Sequence, residues 1–270
     1  MLSSGNFWQF LARVGRVAGT KLSLLSVAPL LWLSLSSPAA ATIRYRVSLS
    51  QPDQHLFHVT MTVPSDGPTL VVALPAWNAL YRVLDFSYRL RDLHAAEVAG
   101  NSEELRMDPL DKDTWRIVPP TGAKPLHGDV EIDYSIQWDD PGPFSSQFDD
   151  HHAFINLAEI LLYVPDRRAE DTLVQLFDLP SGWRTAAQLG TAPGDNTYTA
   201  PSYDALVDAP VEAGEFDQFD FSAGGVDFRV VVDSNSWSKP RLEEELRRII
   251  RDAGFRPAQR DTLYRQYFLN

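Results

Sequence analysis

Cysteine is absent from the 270 residues, so no disulfide can staple the fold and no thiolate can serve as nucleophile, metal ligand or lipid anchor. A His-Glu step is absent too: the six histidines are followed by Leu56, Val59, Ala95, Gly128, His152 and Ala153. The His-Glu-x-x-His helix, which sets two imidazoles on one face beside a water-activating carboxylate, therefore cannot form from this chain. Ser181-Gly182-Trp183 lacks the Gly-x-Ser-x-Gly frame of a hydrolase nucleophile, and no Walker or dinucleotide glycine pattern occurs. Basic residues are scarce. Lys and Arg number 24 against 36 Asp and Glu, a net charge of −12, and residues 42–270 hold 21 against 36, a net of −15. Such a surface repels nucleic-acid phosphates and anionic lipid, so neither is an expected partner, and solubility alone accounts for the acidity. No apolar run reaches the roughly 20 residues that span a bilayer.

What is present begins with a leader. Residues 1–41 carry Arg13, Arg16 and Lys21 with no acid, then an apolar run over residues 22–35 broken by Pro29, then Ser37-Pro38-Ala39-Ala40-Ala41. This is the layout of a secretory signal peptide, with cleavage expected after Ala41 and export to a periplasmic or extracellular space; an uncleaved anchor is the alternative. After cleavage no stable membrane insertion is expected.

Beyond the leader the apolar residues alternate in short runs. Residues 43–49, 55–63, 70–74, 82–90 and 114–118 read as strands, and residues 130–138 are the cleanest, with every even position apolar and one face wet. Turn signals separate them at Gln51-Pro52-Asp53, at residues 64–68, at Gly100-Asn101 and at residues 119–122, while residues 141–144 form a loop. Residues 173–179 and 226–232 add strands, with Gly224-Gly225 as a hairpin turn. Residues 198–216 read as a hinge between this body and a helical tail, because Pro210 bars Ala209 from the helical region. The tail places Leu242, Leu246, Ile249 and Ile250 on one stripe of a helix capped by Ser238 and ended by Gly254, with Glu243–Arg247 and Glu244–Arg248 pairs. The fold class is mainly β: an antiparallel, sandwich-like or saddle-shaped domain with a short C-terminal helical segment.

Candidate chemistry is sparse. Asp149-Asp150-His151-His152 is the densest cluster of possible ligands, yet neighbouring strand residues face opposite ways, so the cluster reads as a hydrated loop. His55 and His58 share no strand face, and Asp111, Asp113, Asp139 and Asp140 flank turns where side-chain hydrogen bonds to backbone explain them. The aromatics Trp77, Tyr81, Trp115, Trp138, Trp183 and Trp237 read as core or edge-covering groups, with a peptide or glycan groove as the alternative. No residue is assigned a catalytic, cofactor-binding or metal-binding role.

A resemblance adds to this. Tyr203-Asp204-Ala205-Leu206-Val207-Asp208-Ala209-Pro210-Val211, with Gly214 beyond, resembles the segment closing the N-terminal β domain of M61 (glycyl aminopeptidase-like) zinc metallopeptidases. Leu74-Pro75-Ala76-Trp77 with Tyr81 and Asp85-Phe86, then residues 111–115, 130–134 and 179–183, follow in that family's order; Asn78-Ala79-Leu80 departs from its Pro-Gly turn. The resemblance runs from about Arg44 onward. It implies residues 1–41 as signal peptide, 42–236 as the N-terminal β domain, and 237–270 as the helical start of a catalytic domain. It further implies a non-catalytic role, packing on a separate catalytic domain and helping to wall its peptide cleft. Zinc is expected only in that other domain and no cofactor in this chain. The helical stripe at Leu242 and the tail residues Leu263, Tyr264, Tyr267 and Phe268 are expected to pack under the missing partner. A free-standing exported β module that binds peptide or glycan through surface aromatics is the alternative.

Overall fold

In the computed structural model, which describes residues 42–76, 85–98, 104–121, 124–140, 145–234, 236–252 and 268–269, period-two alternation sets the architecture. The elements in order are β1 Ile43–Gln51, β2 Leu56–Gly67, β3 Leu70–Ala73, β4 Leu90–Glu97, β5 Glu104–Pro109, β6 Thr114–Val118, β7 Leu126–Gln137, β8 Gln147–Phe148, β9 His152–Ile155 and α1 Leu157–Ile160. There follow β10 Thr172–Phe177, β11 Arg184–Ala187, β12 Gly190–Thr191, β13 Thr197–Ala200, α2 Tyr203–Val207, β14 Val211–Gly214, β15 Asp217–Ala223, β16 Val226–Val232, α3 Lys239–Asp252 and β17 Phe268–Leu269. The leader, Trp77 to Leu84, Gly100-Asn101, Gly122, residues 141–144, Gly254 and residues 263–267 lie outside the described residues.

Ten strands make one sheet in the order β12-β13-β10-β1-β2-β7-β4-β5-β6-β3. Register carries the alternation across it: Tyr45 pairs with Met61 and Val47 with Val59, and Met61 and Val59 pair in turn with Ile132 and Tyr134. All of these side chains are buried on one face. On the other face Thr60 hydrogen-bonds Asp133 at 2.5 Å and Arg44 pairs with Asp129. Most pairings are antiparallel; β1 and β10 run parallel.

A second layer covers the buried face. The four-stranded sheet β11-β14-β9-β8 contributes Phe148, stacked on Phe57 at 4.7 Å. Val211, Ala213, Ala153 and Ile155 join the same core. Between the layers runs the wholly buried stretch Ile160-Leu161-Leu162. Its carbonyls are met in succession by three phenols: Tyr134 Oη donates to Ile160 O, Tyr203 Oη to Leu161 O and Tyr45 Oη to Leu162 O, at 2.8–2.9 Å. Tyr134 Oη also accepts from Leu162 N at 3.0 Å. A chain crossing a core without a strand neighbour needs such partners, because unpaired buried backbone groups are costly.

Several expectations need correction. Residues 198–216 are no hinge: β13 pairs with β10, and β14 is the strand that joins β11 to β9. Between them α2, capped by Ser202 Oγ on Ala205 N, buries Tyr203 and Leu206. The turn expected at residues 64–68 is strand as far as Gly67. Pro64 is tolerated there because β1 has ended beside it and its carbonyl accepts from Arg167 instead. Of the strand expected over residues 82–90, the part from 85 onward is described, and it holds a 3-10 turn at Ser87–Arg89 with β4 starting only at Leu90.

The helical stripe is corrected as well. Leu242, Leu246 and Ile250 pack on the hairpin β15–β16 of this same chain, in a separate cluster with Phe219, Phe221, Phe228 and Trp237; Ile249 is 56% exposed. The hairpin turns on Gly224 and Gly225, at φ 58° and 75°, both in the left-handed region that a two-residue turn of this hand demands. β17 lies parallel to β16, Phe268 beside Val231. Among the described residues no helix is long and apolar enough to cross a membrane.

Candidate functional site

The chain brings together three chemically capable side chains at the end of the four-stranded sheet. His152 opens β9 and lies opposite Gly214 of β14. Glu212, two residues before Gly214, shares its strand face, so the missing side chain at Gly214 leaves room for the Glu212 carboxylate to reach the imidazole diagonally. A Cβ on Gly214 would come within 3.1 Å of the His152 Cβ and 3.3 Å of the His151 carbonyl, which explains the glycine. Asp233 arrives from the other direction, directly after β16.

His152 Nδ1 lies 2.9 Å from Glu212 Oε1 and 3.2 Å from Asp233 Oδ2. The side chains are 12%, 2% and 35% exposed for His152, Glu212 and Asp233 respectively, so two of the three are shielded from solvent. One donor atom from each lies within 4.8 Å of the others. The hydrogen bond to Glu212 raises the His152 pKa against an opposing effect of burial, and the charges of Glu212, Asp233 and Asp149 add to the rise. Burial raises the Glu212 carboxyl, partly offset by the His152 contact.

The sequence cluster Asp149-Asp150-His151-His152 is divided by the fold. Asp149 accepts from the backbone N–H groups of His151 and His152 at 2.8 and 3.0 Å, a local turn device. Burial pushes its carboxyl up, but these N–H groups outweigh it and hold the pKa below the usual range. Asp150 and His151 are exposed. Only His152 turns inward. His55 sits at φ 55° against the Phe148 carbonyl with Asp139 Oδ2 3.7 Å from its Nδ1, both side chains partly exposed, and His58 hydrogen-bonds Ser135 Oγ at 2.6 Å and Gln51 at 2.8 Å. Asp111 accepts from Asp113 N at 3.1 Å, and Asp140 pairs with Arg89. Glu212 and Asp233 were missed by sequence reasoning. The available signal was a lone Glu inside the apolar strand Val211–Gly214 and an Asp closing the apolar run of β16.

The aromatics are mostly structural. Trp138 is buried, edge-on to Phe86 at 5.0 Å and under the Arg89 guanidinium at 4.2 Å. Trp183 meets Phe148 at 6.3 Å, and Trp237 stacks on Phe219 at 5.6 Å with its indole N–H on Asp217. Trp115 is half-buried against the core.

The chain belongs to the peptidase M61 N-terminal domain family, whose model matches residues 44–215. It is similar to a crystal structure of an aminopeptidase N family protein from Idiomarina loihiensis, at 22% identity and a TM-score of 0.71, over 84% of this chain. The chain spans 38% of the length of that structure. An M1 zinc metallopeptidase from Deinococcus radiodurans also matches, at 15% identity and a TM-score of 0.37, over 78% of this chain and 52% of that one. Among curated proteins none matches.

Proposed function

We propose that this chain is the non-catalytic β portion of an exported M61-type metallo-aminopeptidase, packing on a zinc-bearing catalytic domain and helping to wall its peptide cleft. The family match over residues 44–215 carries the reading. It is supported by the lack of any His-Glu-x-x-His stretch in these residues and by the fold shared with the aminopeptidase N family structure. In this reading the leader delivers the protein to a periplasmic or extracellular space and is cut after Ala41. The hairpin β15–β16 with α3 lies beyond the matched residues and has its own apolar cluster, so we place the passage from the β domain to the next domain between Gly214 and Asp217, ahead of the boundary expected at residue 236.

The test is reconstitution. The full chain is mixed with a separately produced M61-type catalytic domain carrying a His-Glu-x-x-His helix, then followed by size-exclusion chromatography and hydrolysis of an aminoacyl p-nitroanilide. The chain alone is expected to hydrolyse nothing with zinc added, and the mixture to co-elute with raised activity. Hydrolysis by the chain alone, or no association at tens of micromolar, would refute the proposal.

A further inference from the structure

Two carboxylates that converge on one imidazole edge, one of them only 2% exposed, are not what core packing alone selects. Like charges brought together out of water repel, and each loses hydration that its partners must replace. A proton on His152 would leave the cluster one negative charge from neutrality, whereas a dication on a neutral imidazole and two carboxylates brings it to zero. The spacing suits such an ion. Tetrahedral ligation at about 2.0–2.2 Å sets ligand atoms about 3.3–3.6 Å apart, and the Nδ1 distances of 2.9 and 3.2 Å need only a few tenths of an ångström of opening.

We propose that His152, Glu212 and Asp233 form a binding site for one divalent transition-metal ion, zinc by preference, with water completing the coordination. The imidazole decides the ion class, because magnesium and calcium favour all-oxygen sets while a mixed nitrogen and carboxylate set suits zinc. The ligands come from β9, β14 and the residue after β16, so the ion would clip the end of the hairpin to the four-stranded sheet. Asp149, the remaining carboxylate whose charge acts on His152, is occupied by backbone N–H groups and stands outside the ligand set. The site is independent of the family's catalytic zinc, whose helix this chain lacks, and the inference does not rest on the proposed function.

The full chain, stripped with chelator and dialysed separately against Zn²⁺, Mn²⁺ and Mg²⁺, would be assayed for bound metal by mass spectrometry. The expected result is one Zn²⁺ per chain, lost in His152→Ala and Glu212→Gln, weakened at least about tenfold in Asp233→Asn, and retained in His151→Ala. Because Glu212→Gln could disturb the sheet, the partly exposed Asp233→Asn also carries a second readout: zinc should raise the melting temperature of the parent chain and raise that of Asp233→Asn much less. No zinc in the parent chain, equal binding in His152→Ala and Asp233→Asn, or Mg²⁺ held as tightly as Zn²⁺ would each overturn the assignment.

Discussion

Removing the hydroxyl of Tyr134 tests whether the three phenols hold the buried stretch between the layers. Tyr134 Oη serves two backbone groups, donating to Ile160 O at 2.8 Å and accepting from Leu162 N at 3.0 Å. Tyr45 and Tyr203 serve one carbonyl each. Phenylalanine keeps the ring packing and strands only the polar partners, at about 1–3 kcal/mol for each buried group left unsatisfied. Tyr134→Phe should therefore cost about 2–6 kcal/mol, against about 1–3 for Tyr45→Phe or Tyr203→Phe. Since a domain of this kind is stable by about 5–15 kcal/mol in total, the larger loss is readily seen. Urea unfolding followed by tryptophan fluorescence reads it as a shifted midpoint at unchanged slope. Equal losses in Tyr134→Phe and Tyr203→Phe, or a loss below about 0.5 kcal/mol in the former, would refute the two-partner reasoning.

The same phenols predict an alkaline limit. Burial raises the pKa of Tyr45, Tyr134 and Tyr203, so their folded-state values exceed that of a free phenol. Their contribution is then complete below about pH 10 and falls as the unfolded chain ionises above it; a melting temperature unchanged from about pH 9 to 11.5 would contradict this. Leu246→Ala should loosen α3 and the hairpin and leave the large sheet intact, so hydrogen exchange should quicken in β15 and β16 and stay slow in β1, β2 and β7; equal quickening in all five would join the two clusters into one. Gly225→Ala, at φ 75°, should cost about 1–2 kcal/mol through its left-handed backbone, and a neutral result would show that the turn relaxes. If the leader acts as proposed, N-terminal sequencing of protein expressed with it should read Thr42 first, whereas Met1 on membrane-bound protein would establish an anchor.

The elements read well from sequence are those whose signal is local. β7 shows its alternation residue by residue, and Gly224-Gly225 can serve little but a tight hairpin. Failures came where a distant group decides the local state. Pro64 looks like a strand terminator until Arg167 is seen to take its carbonyl, more than a hundred residues away. The α3 stripe is visible in sequence, but its partner is not, because any apolar surface would satisfy it; the fold supplies Phe219 and Phe221. Pro210 does end the helical run, as its chemistry demands, but it does so between α2 and β14 inside a packed segment, which no local signal reveals. The His152 cluster draws on three separate elements, so no window of sequence holds it, and Asp149 to His151 drew attention to the wrong side of the turn.

The parallel pairing of β1 with β10 has a consequence for the order of assembly. β1 finds β2 at once across a short turn, but its other edge has no partner until Thr172–Phe177 has been made, after all of β3 to β9. In a chain synthesised amino end first, β1 would spend that interval with one row of backbone groups bare, a template for the strand of any neighbouring molecule. Closure of this edge should then be a late and slow step of folding. In pulse-labelled refolding the β1 amides that face β10 should gain protection after those that face β2, and simultaneous protection of both sets would show that the long crossover closes as early as the local turn.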